Sequence, residues 1–372
     1  MIKQKKSKIS IPCHWNKEVL KKVFIQNQRA KSIEIAEVYG VIPRQIIGSG
    51  RSSSTIPNIS KEKAIDFKNF IKKLDFNFVY LLNAPFDLSA KNIKATEEYL
   101  DWVINKFSPD ALVVTSYSLM KFIRKKYDKK IKIYISTIAG ILTPSDVEKY
   151  LEINPTRIIL HHDANRNFKS LKEFGQLAKK NKIEVELMLT ESCLKRCPRR
   201  AEHYNALLYP NADDRKFHFF CITKKLMFLN ELLKANFIRP EDINLYEKMG
   251  FKNFKITGRS KPAKWLPEVT NAYLNRSYEG NLIRLLGVDS RLNAEDLIFI
   301  NNKSLDNFLL FYPRDNNGEK ENLYTNKWTV KLFKNKDLKI MEKNFFYQIE
   351  KNKVICKQMG QKLFEIYKKN DL

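Results

Sequence analysis

Eight short apolar runs rich in β-branched residues alternate along this chain with longer segments in which apolar residues recur every three or four positions. The runs fall at 8–12, 32–38, 76–82, 111–115, 131–136, 157–160, 183–190 and 251–257. The helical patterns lie between them, at 16–26, 61–74, 95–107, 119–127, 143–153 and 170–180, each with one apolar face. Capping residues agree with this period: Ser60 precedes the second pattern, and Thr143 with Pro144 opens the fifth. Eight strands joined by helical crossovers close most simply into a parallel (β/α)8 barrel of TIM type, an α/β fold whose reactive groups belong at the C-terminal strand ends. A doubly wound open sheet is the alternative, but no Gly-x-Gly-x-x-Gly turn follows an early strand to support it.

Two stretches depart from the alternation. The connection over 191–237, after the seventh strand, is far longer than an ordinary βα loop and holds three of the five cysteines. After 281 the period changes. The chain therefore divides into a barrel over 1–286, with its cysteine-bearing insertion, and a small basic α+β segment over 287–372. That segment has strand-like runs at 296–300 and 328–333, a polar loop at 313–322 and a final helix over 353–369.

Charge adds a possible partner. Lys and Arg number 68 against 41 Asp and Glu, a formal charge of +27, which favours a polyanion such as tRNA or rRNA. The lysines are spread over many helices and form no single stripe, so charge alone gives mainly salt-sensitive, non-specific attraction. The basic first eight residues lack the apolar core of a signal peptide, and no stretch reaches the roughly 18 to 20 apolar residues of a membrane span. The expectation is a cytoplasmic protein with no membrane span. An odd set of five cysteines in such a chain reads as reduced thiols available to a metal, and not as a disulfide framework.

The cysteine constellation is the strongest chemical signal. Cys193 and Cys197 stand four positions apart directly after the seventh strand, so their sulfurs are expected at the barrel mouth, and Cys221 folds back to complete a set of three. Arg196, Arg199 and Arg200 would stabilise thiolates and offset an anionic cluster. An iron-sulfur cluster of the 4Fe-4S kind is the preferred cofactor; zinc is the alternative, and inert thiols or a redox pair the bland one. Pro198, Arg199 and Arg200 occupy the place where a radical S-adenosylmethionine enzyme would need its third cysteine. For a fourth ligand, Cys13 follows the first strand and would also lie at the mouth, or else it fills the barrel rim. Cys356 is a more distant candidate, and His203, six residues after the pair, either ligates metal or supports the loop.

Other polar residues fall at strand ends. His161 and His162, ending the sixth strand, are candidate catalytic acid-base groups, one expected to face the mouth and one away. Arg51, Lys255 and Arg259 offer charged donors to a carboxylate or phosphate, or pair structurally, and Gly258 permits close backbone approach. Asn83 and Ser136 complete the candidate substrate-binding set. For peptidase chemistry there is neither a Gly-x-Ser-x-Gly elbow nor a His-Glu-x-x-His helix.

Residues 237–250, beginning Phe-Ile-Arg-Pro-Glu-Asp, lead into 254–259, Phe-Lys-Ile-Thr-Gly-Arg, and then into 265–273, which ends Asn-Ala-Tyr. This succession, with Tyr39-Gly40, the Gly-Ser-Gly-Arg of 48–51, Ser136 and the cysteine loop in the same order, resembles the peptidase U32 family over roughly residues 8–286. The resemblance implies a (β/α) barrel with a four-cysteine cluster and oxygen-independent hydroxylation. The substrates it suggests are a tRNA uridine, a ribosomal cytidine with prephenate as oxygen donor, or a ubiquinone precursor handled by a paralogous pair. The older family name implies collagenase-like peptidases. Cys193, Cys197 and Cys221 match three of the family's cysteines, whereas the fourth position falls near Asn244.

Overall fold

The polypeptide runs from Ser7–Pro12 (β1) through Ile33–Gly40 (β2), Asn77–Leu82 (β3), Ala111–Val114 (β4), Lys132–Ile135 (β5), Arg157–Ile159 (β6) and Glu184–Met188 (β7) to Asn253–Lys255 (β8). Each strand pairs in parallel with the next, and β8 returns to β1 with Ile9 opposite Phe254, so the sheet closes in sequence order. These are the eight runs that the periodicity predicts. The structure, a computed structural model, describes residues 6–43, 45–51, 56–207, 214–288, 293–314 and 317–358, the last stretch without the side chains of 342, 343 and 356–358.

Closure follows from side chains that leave no face of the strands free for solvent. β4 is buried at every position, and so are five of the six residues of β3, as expected where helices cover a barrel. The helices start where the sequence supplies a cap. Asn16 Oδ1 accepts the Val19 N–H at 3.1 Å, Ser60 Oγ that of Lys63 at 3.3 Å and Ser116 Oγ that of Leu119 at 3.2 Å. Two helical segments are not plain α-helix. Ile93–Asp101 continues as a π-helical stretch, Trp102–Phe107, whose Trp102 and Phe107 rings pack against Tyr80. Pro144–Ile153 is a 3-10 helix, opened as expected at Thr143, where the Asp146 carboxylate accepts the Thr143 N–H at 2.7 Å.

The chain forms two compact units. The first, residues 1–191, 204–212 and 237–277, holds the barrel. The second is assembled from 192–203, 213–236 and 278–372, so most of the insertion after β7 packs with the C-terminal segment. Within it Lys195 pairs with the buried Glu321, Arg196 approaches the same carboxylate at 3.5 Å, and Asn230 donates to Asn322 at 3.0 Å.

The C-terminal expectations need correction. Residues 328–333 are not a strand: they lie in the helix Gly318–Lys334, which also shortens the polar loop expected over 313–322. Glu321, Thr325 and Leu332 are buried along one helical face, and this periodic face outweighs the β-propensity of Trp328, Thr329 and Val330. The strand expected at 296–300 is confined to Ile298–Ile300 (β9), with Asp296 in the helix Ala294–Leu297; β9 pairs antiparallel with Leu338–Ile340 (β10), which the pattern did not mark. The final helix begins earlier than expected, spanning Glu342–Gln358, and 359–369 lie outside the described residues. Among the described residues no helix is long and apolar enough to cross a membrane.

Candidate functional site

Strand ends β2, β3 and β8 bring together residues that are far apart in sequence. After β2 the chain turns through Gly48, Ser49, Gly50 and Arg51, and Ala84, just past β3, donates its N–H to the Gly48 carbonyl at 3.1 Å. Gly50 has φ +61, and a Cβ there would meet Ile138 Cδ1 at 2.5 Å, so glycine is favoured. After β8, Arg259 reaches over and donates to Ser49 O at 2.6 Å and Ser49 Oγ at 3.1 Å. The two motifs singled out in the sequence, Gly-Ser-Gly-Arg and Lys-Ile-Thr-Gly-Arg, therefore meet at the C-terminal face of the barrel. Gly258, at φ +144, lets this happen, since a Cβ would sit 2.7 Å from Trp265 Cζ3.

Positive charge gathers at this mouth, although Glu186 and Glu191 also act on Tyr39 there. Burial, reinforced by the like charge of Arg51, pushes Arg259 down to about 9, which still leaves it charged at neutral pH. Among the described residues its side-chain partner is the neutral Ser49, and no carboxylate forms an ion pair with Arg51 or Arg259. Tyr39, at the end of β2, lies within the field of both arginines and donates its hydroxyl to Ile256 O at 2.8 Å. Lys255 is buried with its Nζ 3.7 Å from the Tyr39 ring centroid, and burial pushes it down to about 8 against the pull of Glu186. Asn83 is buried, and its Oδ1 has no hydrogen-bond partner among the described residues. Ser136 is also buried, but its Oγ accepts the Ile138 N–H at 3.1 Å and so caps a turn.

Sequence reasoning missed two features of the barrel. The first is a charged layer in its interior: Glu37 on β2, Glu186 on β7, Arg157 on β6 and Ser10 on β1. Ser10 Oγ lies 2.8 Å from Glu37 Oε2 and 2.6 Å from Glu186 Oε1, and Arg157 Nη1 donates to Glu37 at 2.6 Å. Burial raises Glu186, with Lys255 and Arg157 opposing it, whereas for Glu37 the Arg157 guanidinium outweighs burial and holds the carboxyl low. The second is His14, after β1. Its Nε2 lies 2.9 Å from the Gly258 carbonyl, which assigns the ring proton to that nitrogen and leaves buried Nδ1 as an acceptor with no partner among the described residues. Burial lowers its pKa, so the ring is neutral. The sequence signals were a charge inside an otherwise apolar strand and a histidine just past a strand end.

His161 and His162 are both buried, with ring centroids 4.2 Å apart, and not on opposite sides as strand alternation predicts. β6 ends at Ile159, and the chain passes into a 3-10 turn, His162–Ala164, which breaks the alternation. Asp163 completes a compact group, 3.7 Å from His161 Nδ1 and 3.8 Å from His162 Nε2. Its backbone N–H donates to His161 Nδ1 at 3.2 Å.

Cys193, Cys197 and Cys221 all belong to the second unit and are all partly exposed. Cys197 and Cys221 pack on the same small apolar cluster of Leu194 and Phe220. Burial raises the Cys197 thiol, opposed by the Arg199 N–H and by the charges of Arg200 and Lys225. Three cysteines in one unit, with an N–H donor and two cations beside Cys197, are a donor set that could serve thiolate-ligated iron and sulfur. Cys13 belongs to the barrel unit and is fully buried, and burial pushes its thiol up to about 12. The side chain of Cys356 lies outside the described residues. Asn244, where the family's fourth cysteine would fall, lies in the helix Ile243–Lys248 of the barrel unit. In the adjoining Arg-Pro-Glu-Asp motif the buried Arg239 is held by Asp242 through bonds of 2.9 and 3.1 Å.

No family model matches the chain. An uncharacterized protease of Methanocaldococcus jannaschii is 27% identical over 299 residues, covering 78% of this chain and 86% of that protein. Among solved structures, a U32 peptidase is 13% identical, covering 69% of this chain and 96% of its own with a TM-score of 0.44. The citrate synthase SbnG is 8% identical, covering 68% and 87% with a TM-score of 0.33. Likenesses at those scores carry no argument about activity. The relationship to the Methanocaldococcus protein extends over most of both chains, and the motif order over 237–273 resembles that of the peptidase U32 family.

Proposed function

We infer that this protein is an iron-sulfur-dependent, oxygen-independent hydroxylase that takes a small carboxylate at the barrel mouth and acts on an RNA base or another aromatic acceptor. The observation that carries this reading is the pair Arg51 and Arg259: two half-buried guanidinium groups on the loops after β2 and β8, with no carboxylate paired to either among the described residues. Keeping like charges together out of water is costly unless an anion joins them, and a guanidinium fork suits a carboxylate. Lys255 and the unpartnered Asn83 amide add further polar groups for its orientation, and His14 Nδ1 is a neutral acceptor for a proton. Cys193, Cys197 and Cys221 would hold the cluster, which when bound supplies one-electron chemistry. The formal charge of +27 supports a polyanionic acceptor.

Anaerobic purification with iron, sulfide and zinc analysis tests the cofactor, comparing wild type with the Cys193→Ala, Cys197→Ala double variant. Iron and sulfide with broad thiolate absorption, lost in the variant, is expected; metal-free wild type sinks the cluster reading. Calorimetry with prephenate tests the mouth. Binding weakened more than about tenfold by Arg259→Ala, the weight of a charge-assisted hydrogen bond, is expected, and equal binding by both proteins removes the donor site. A nucleoside gaining one oxygen only in the presence of prephenate would identify the acceptor as RNA.

A further inference from the structure

A second group of ligand atoms lies in the same unit as the cysteines. Asp214 precedes the helix Arg215–Met227, and His218 lies four residues on, so the two share a face of its first turn. His203 arrives from the helix Arg200–Ala206. Asp214 Oδ2 is 3.0 Å from His218 Nε2 and 3.9 Å from His203 Nε2, and the ligand atoms all lie within 4.8 Å of one another. The His203 ring is stacked on Phe217 at 4.9 Å and meets the His218 ring edge-on at 5.5 Å, an arrangement that fixes both imidazole planes. The Asp214 side chain is 7% exposed, that of His203 20% and that of His218 33%, so the group opens to solvent on its histidine side.

We propose that His203, Asp214 and His218 form a binding site for a divalent zinc-like cation. Zinc holds nitrogen and carboxylate oxygen at about 2.0–2.2 Å, so tetrahedral ligands lie roughly 3.3 Å apart. The two Asp214 separations bracket that value and the third lies within 4.8 Å, so histidine rotamer adjustments of up to roughly 1.5 Å bring all three atoms onto one ion. Two imidazoles with one carboxylate select a borderline transition ion over calcium or magnesium, which prefer all-oxygen sites. Three protein ligands leave a fourth position for water on the exposed side. The ion would also tie the helix that follows Cys197 to the helix that carries Cys221 one turn beyond His218, holding two cysteine-bearing segments together. This site stands whether or not the cysteines carry a cluster.

The test uses the full chain. Purified in zinc-supplemented medium, wild type and a Cys193→Ser, Cys197→Ser, Cys221→Ser variant are expected to retain about one zinc each, as a single three-ligand site holds. His203→Ala and His218→Ala should weaken zinc binding by more than about a hundredfold, beyond the loss of a second-shell partner, with iron content and circular dichroism unchanged. To keep the test independent of how the variants fold, wild-type protein is also titrated with cobalt(II): the first equivalent is expected to give d–d bands without a thiolate-to-metal charge-transfer band. Zinc lost from the cysteine variant but kept by the histidine variants, a thiolate band from the first equivalent of cobalt, or wild type that holds no zinc would each overturn the proposal.

Discussion

The Lys255 ammonium lies 3.7 Å from the centroid of the Tyr39 ring, inside the barrel and below the arginine pair. The aromatic face and Glu186 only partly replace the water it has lost, so its folded value drops to about 8 from roughly 10.4 in the unfolded chain. Between those values the unfolded state binds more protons, so stability should rise with pH from 8 to 10. Below about 8 the buried charge costs on the order of 3 kcal/mol relative to its neutral form. Urea unfolding across pH 7–10 should show this rise in wild type and not in Lys255→Met; identical pH dependences would remove Lys255 as its source. Dicarboxylate affinity should move the opposite way, falling as pH passes 8 and the ammonium is lost.

Gly258 positions Arg259 and holds a backbone conformation that L-residues rarely adopt. Gly258→Ala would combine φ +144 with a contact of 2.7 Å to Trp265, and should destabilise by about 2–4 kcal/mol. Trp265→Leu should relieve the clash without relieving the backbone, so the double variant regains part of the loss. Thermal unfolding together with prephenate calorimetry separates the two effects. Full recovery in the double variant would mean that the dihedral is not strained.

The barrel was legible because its eight strands and their crossovers obey two different periods, and short runs bounded by caps separate cleanly. The arginine motifs were legible as candidates, but their meeting through Ser49 depends on barrel closure, which no local pattern encodes. Glu37 and Glu186 escaped notice because a charge within an apolar run reads equally well as the solvent face of a strand. Trp328–Val330 misled for a related reason: the residues favour a strand in isolation, whereas the buried face of Glu321, Thr325 and Leu332 requires a helix. Asp214 and His218 form a pair only once Arg215–Met227 is known to be helical, and His203 joins them only through the fold.

Cys13 offers a test of how many thiols serve a cofactor. Its buried side chain stands so close to Gly40 that a Cβ on the glycine would lie 2.8 Å from the Cys13 Cβ, and a thiol raised to about 12 keeps its proton at neutral pH. Cys13→Ala should therefore leave iron and sulfide content unchanged and cost about 1 kcal/mol of packing. Loss of iron from that variant would make Cys13 a ligand after all.

Arg157 neutralises the interior carboxylates: Nη1 is 2.6 Å from Glu37 and 3.4 Å from Glu186, while Nη2 is 2.7 Å from Glu184. Removing it strands two buried charges, so Arg157→Met should destabilise by about 3–5 kcal/mol at neutral pH. In wild type Glu37 is held below its unfolded value. Its contribution is therefore present above the ordinary carboxylate range and lost as the solution becomes acid. Without the guanidinium, burial dominates and the sign reverses: the variant should gain stability as pH falls and Glu37 takes up a proton. Adding Glu37→Gln and Glu186→Gln should restore much of the loss at neutral pH, because neutral amides need no counter-charge. Urea unfolding at pH 5 and 7 tests the reversal, and a variant that weakens on acidification as wild type does would show that Arg157 does not set the charge state of the layer.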